Sequence, residues 1–137
     1  MTTIRVPVDP IDAMCDDLQA LLSAMDEFDD VTVSPVVPPN WSPTTGPRLL
    51  LVESDGTPSG VWPVATTVTV RLTAWTHGRD TNLLATVLGL LLSGHPIAGA
   101  ARVKPGTWPL AATDSTTHAS LNSATVRVTV RTEEKDF

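Results

Sequence analysis

The sequence predicts an α+β fold, a mainly antiparallel sheet with two helices packed on one face. Three observations predict it. Ile11, Met14, Cys15, Leu18, Leu21, Leu22 and Met25 recur at spacings of three and four, which lines one side of a helix. Val68, Val70, Leu72 and Ala74 alternate with Thr67, Thr69, Arg71, Thr73 and Trp75, and Val126, Val128 and Val130 alternate in the same way with Thr125, Arg127, Thr129 and Arg131. Such alternation marks strands with one face on a core, and the matching patterns predict that these two strands pair. The third observation is the apolar run at 83–92, which follows the first of these strands after a short polar turn and reads as a second helix.

The elements follow in order. Residues 1–8 read as an extended arm suited to an added edge strand. Asp9-Pro10 is a helix start, because Asp caps well and Pro is tolerated in the first turn; the helix is expected over 10–25, with Asp12, Asp16, Gln19 and Ser23 on its polar side. Residues 31–36 give a short strand. The prolines of 38–47 then exclude a helix or a central strand, and Trp41 within that loop is read as a lid over the core or a partner contact. Residues 48–54 form a strand whose four consecutive apolar positions predict burial on both faces. The long strand 61–75 leads through the turn at His77 and Arg79 into a helix over 81–93. Gly94 and Pro96 end that helix, and close approach to the first helix accounts for Gly89 inside it. A weak strand at 97–104, a turn at 105–109, a polar loop at 111–118, a closing strand at 121–132 and a polar tail at 133–137 complete one domain spanning 1–137.

Net charge is −6, but residues 1–47 hold eight acids and one base, −7 in sum, while the remainder sums to +1. Coating of nucleic acid needs clustered Lys and Arg, which this balance does not supply. The asymmetry reads as a solvated acidic face or as a protomer that meets its neighbour acidic side to basic side. No apolar run is long enough to span a bilayer, and the first residues do not resemble a secretory leader. The lone Cys15 excludes an intrachain disulfide, sits in the apolar stripe, and fits a cytosolic or particle-bound setting.

Motifs for chemistry are few. His77, His95 and His118 have no metal-type spacing, and no metal site, cofactor loop or nucleophile elbow is expected. Asp114, Ser115 and His118 lie close in sequence without an evident oxyanion donor. Asp12 and Asp16 are one helical turn apart and read as a solvated face. Glu27, Asp29 and Asp30 lack the ligand spacing of a calcium loop. His77 and Arg79 are the most functional-looking polar pair, read as structural or solvated. No catalytic residue is expected.

The opening Asp9-Pro10 helix, the prolines at 35–39 after the first strand, the strand 48–54, the strand 68–75 with its polar turn and apolar helix 83–92, and the closing alternation 124–131 together resemble the tail terminator (tail completion) proteins of long-tailed bacteriophages, especially those infecting actinobacteria. The likeness covers nearly the whole chain and lies in the order and lengths of elements rather than in one motif. It implies a homo-oligomeric ring, a hexamer, seated on the last ring of the tail tube protein. The ring stops tube growth, presents a surface to the head–tail connector protein, and passes DNA through its lumen without specific binding. The setting implied is the head-proximal end of the tail, reached from the host cytoplasm, with no cofactor and no membrane. Candidate contacts are Trp41, Trp62, Trp75 and Trp108, with Arg71, Arg127 and Arg131 on the outward sheet face. Leu83 and Leu90 join them, because a helix apolar around most of its girth predicts a neighbour as second cover. Competing readings are a head–tail connector or stopper protein, a small α+β ligand-binding domain or enzyme, and a regulatory interaction domain of a cellular protein.

Overall fold

The computed structural model describes residues 2–39, 41, 48–55, 65–76, 82–94, 96, 100–107, 109–113 and 119–137. Its elements are β1 (Thr3–Pro7), α1 (Ile11–Ser23), a 3₁₀ turn (Asp26–Phe28), β2 (Thr32–Ser34), β3 (Leu49–Ser54), β4 (Ala65–Thr76), α2 (Asn82–Leu92), β5 (Ala100–Pro105), β6 (Leu110–Thr113) and β7 (Ser120–Asp136).

The two alternating strands pair as their patterns require. β4 and β7 run antiparallel from Ala65 opposite Arg131 to Thr76 opposite Ser120. That register sets Val70 against Val126 and Val68 against Val128, so the apolar positions of both strands share one face. β3 adds antiparallel to β4 with Leu50 opposite Ala74 and Val52 opposite Leu72. β2 pairs parallel to β3, the one parallel junction of a sheet that is otherwise antiparallel among the described residues. Met14, Leu18 and Leu22 of α1 and Leu84, Val87 and Leu91 of α2 pack into the same core as Val70, Leu72 and Val126, which puts both helices on one face. Each such side chain contributes about 1.5–3 kcal/mol on burial.

Local signals explain the start of α1 and the end of α2. The Asp9 carboxylate accepts the Ile11 N–H at 2.9 Å, and Met14 N–H closes the first turn on the Pro10 carbonyl at 2.8 Å. Pro10 has helical φ and ψ of −82° and −11°, so its missing N–H falls where no intrahelical acceptor exists. At the far end of α2, Gly94 takes a φ of +83°, a conformation that costs glycine nothing.

β3 is buried on both faces, as its apolar run predicts, with Leu49 and Leu50 fully inaccessible. Leu49 lies opposite Trp75, and Trp41 meets the Trp75 ring edge-on with centroids 5.5 Å apart. The sheet face away from the helices is therefore partly covered, with Trp41 as the lid.

Three expectations need correction. Of the polar loop expected at 111–118, residues 111–113 instead lie in β6, paired with β7 at Ser120–Ser123, and residues 114–118 lie outside the described residues. Residues 133–136 are not a tail: they continue β7 and pair with β1, from Pro7 opposite Thr132 to Thr3 opposite Asp136. Thr2 and Phe137 extend the ribbon by exchanging two backbone hydrogen bonds, at 2.8 and 2.7 Å. These polar segments are strands because a neighbour supplies their ladder, a contribution that composition does not encode. Gly89 is the third: it is exposed, and a Cβ built there meets nothing within 4 Å, so no close approach of α1 explains it.

Candidate interaction surface

The sequence-nominated residues fall into different environments. Leu83 is a correction. It is 0% exposed and belongs to the chain's own core, so no neighbour can touch it without unfolding the domain. α2 contacts β4, β5 and β7 of its own sheet, and Leu84, Val87 and Leu91 are buried with Leu83. Leu90 is half-buried, and Leu92, at 41% exposed, is the most open leucine of this helix. Trp41 and Trp75 serve each other as described above. The Trp75 Nε1–H is buried without an acceptor among the described residues. Trp62 and Trp108 lie outside the described residues, as do the three histidines, Arg79, Asp114 and Ser115.

Arg71 is occupied within the chain. Its Nη2 donates to Asp55 Oδ2 at 2.8 Å and its Nη1 to Ser123 Oγ at 3.1 Å, a link that ties β4 to β7. Arg127 differs, being exposed and forming no ion pair among the described residues. Only the backbone of Arg131 is described; it lies opposite Ala65. Sequence reasoning missed two companions of Arg127. β5 sets Lys104 opposite Arg127 and Arg102 opposite Thr129, and both cations are exposed. Their alternation with Ala101 and Val103 is visible in the sequence, but the register that gathers them beside Arg127 is not.

The acidic portion of the chain divides in two. Asp30 is engaged: Arg48 Nη2 donates to its Oδ1 at 2.6 Å and Arg48 Nε to its Oδ2 at 3.1 Å. Arg48 also donates to the Glu27 carbonyl and lies 5.3 Å from the Phe28 ring centroid. Its guanidinium holds the Asp30 carboxyl below its usual range. A cation beside Glu27, Asp29 and Asp30 would have to displace that guanidinium. Asp12 and Asp16, by contrast, are exposed on α1 and form no ion pair among the described residues.

Other candidate chemistry is weak. Burial, followed by the charges of Asp12 and then Asp16, pushes the Cys15 thiol up to about 11, where almost no thiolate exists at neutral pH. A groove of about 380 Å³ lies between Leu88 and Leu92 of α2 and the segment Pro105, Gly106, Thr107 and Pro109. Its polar groups are already paired with each other: Thr107 N–H donates to Thr125 Oγ1 at 2.8 Å, and the two hydroxyls are 3.0 Å apart. Among the described residues, no convergent polar set is left there to orient a ligand. Among the described residues, no group of three His, Cys, Asp or Glu is placed to hold a metal, and no helix is long and apolar enough to cross a membrane.

What the described surface offers is segregated charge, cations on the β5–β7 edge and acids on α1. No protein-family model and no curated protein sequence matches this chain.

Proposed function

We propose that this chain is a structural subunit of a long-tailed bacteriophage, a tail terminator that assembles into a ring, hexameric by resemblance. The ring caps the tail tube, stops its growth and joins it to the head connector. The observation that carries the reading is the order of elements: α1, a short strand, β3, the long β4, α2, and a closing β7 that pairs along the whole of β4, with both helices on one face. Segregated, unpaired charge on a small domain supports self-assembly, since complementary patches orient association. The overall net charge of −6 suits a lumen through which DNA slides without being held. The site of action is the head-proximal end of the virion tail, reached from the host cytoplasm.

The test is genetic. Removing the gene from the phage that encodes this chain gives overlong tails under this reading. Normal-length tails beside filled or leaking heads would move the protein to the connector or stopper role. Normal virions would sink both.

A further inference from the structure

Two exposed clusters are arranged against their own electrostatics. Lys104 stands directly opposite Arg127, and Arg102 stands opposite Thr129, two positions along β7. Opposed residues of antiparallel strands share a face, so Arg102, Lys104 and Arg127 project together. Like charges facing each other across strands destabilise a sheet. Asp12 and Asp16 repeat the situation on α1, since like charges four residues apart on a helix also repel. Neither cluster is relieved by an ion pair among the described residues. They occupy opposite margins of the domain. α1 packs against β2 and β3 at one end of the strand order, whereas β5 pairs β7 on the far side of β4.

We propose that a second copy of this chain covers the Arg102–Lys104–Arg127 cluster with its Asp12–Asp16 face. This rests on the ring-subunit reading and names the contact that would build the ring. Each surface meets a different surface of the neighbour, the heterologous geometry that closes a ring when its rotation allows. Repulsion within each cluster becomes attraction across the contact. Charge selects a second copy over nucleic acid as the occupant, because the acidic body repels a polyphosphate, whereas residues 1–47, with eight acids to one base, offer what three cations need. Strand addition is not the mode at the acidic margin, since Gln19 already occupies the backbone at Val33 of β2 and at Val31 just before it.

The test is a charge swap read by analytical ultracentrifugation, with circular dichroism to verify folding. One variant carries Lys104→Glu with Arg127→Glu, the other Asp12→Lys with Asp16→Lys. Wild type self-associates at low salt and at least tenfold more weakly at molar salt. Each variant alone associates at least tenfold more weakly than wild type. An equimolar mixture recovers association, because each reversed surface then meets its complement. The neutral pair Lys104→Gln with Arg127→Gln loses less than the reversed pair, and it serves as the charge-removal readout if a reversal unfolds. Variants that associate as wild type does, or a mixture that stays apart, overturn this contact and leave the ring reading standing. A wild type that stays monomeric at every salt concentration overturns both. Labelled duplex DNA bound by wild type and released by the Lys104→Glu, Arg127→Glu variant would assign the cluster to phosphate and overturn the proposal.

Discussion

Gln19 Oε1 accepts the Val33 N–H at 2.8 Å, while Gln19 Nε2 donates to the Val31 carbonyl at 2.9 Å. A side-chain amide from α1 thus stands where another strand would pair with β2. It satisfies an edge that would otherwise template aggregation. Gln19→Leu keeps the helix and removes both bonds, leaving two backbone groups without their partners. Urea unfolding should show a loss of about 1–3 kcal/mol. A loss within about 0.5 kcal/mol, as for an ordinary surface change, would mean that water replaces the amide fully.

Cys15 makes stability depend on alkaline pH. Its folded value of about 11 lies above the ordinary 9.0, so the folded state favours the protonated thiol. That contribution is complete below pH 9 and is lost as pH rises through the folded value near 11. The sequence has no tyrosine to blur this window. Stability should fall between pH 9 and 11 in wild type and fall less in Cys15→Ala. A thiol reagent at pH 8 should label Cys15 only after denaturation; rapid labelling of the folded chain would contradict its burial.

Two glycines should respond in opposite directions. Gly89 is exposed on α2 with open space at its Cβ position, so Gly89→Ala should stabilise by up to about 1 kcal/mol. A Cβ at Gly106 would lie 2.5 Å from the Thr125 carbonyl oxygen, which accepts the Gly106 N–H at 3.0 Å. Gly106→Ala must push that segment off β7 and should destabilise by about 1–3 kcal/mol. Thermal midpoints that move the same way for both would refute this placement of the two backbones.

Two leucines of α2 separate folding from assembly. Leu83→Asp buries a charge at a fully inaccessible position and should unfold the domain, a loss above about 4 kcal/mol. Leu90 is half-buried, so Leu90→Asp should fold as judged by circular dichroism and weaken self-association. Normal association by the folded Leu90 variant would remove this side of α2 from the subunit contact.

The parts of the fold that were legible in the sequence are those in which a residue's own character decides its place. The valines of β4 and β7 and the stripe of α1 announce their buried faces, and equal alternation foretold that 67–75 and 121–132 lie side by side. What stayed hidden depends on partners. Lys135 and Glu134 look like tail residues until β1 supplies their ladder, and Gln19 looks solvated until β2 lies beside it. Leu83 shows the limit of the amphipathic argument, since apolar girth reports that a helix is covered but not by what. The cation cluster needed the register of β5 on β7, which no local pattern encodes.

The central claim is that this small domain is a subunit that assembles with itself. Light scattering on the purified chain at micromolar concentration and low salt tests it most directly. The account predicts a mass several-fold above the 14.5 kDa protomer, six-fold for a closed hexamer. A mass of 14.5 kDa at every concentration and salt would contradict it.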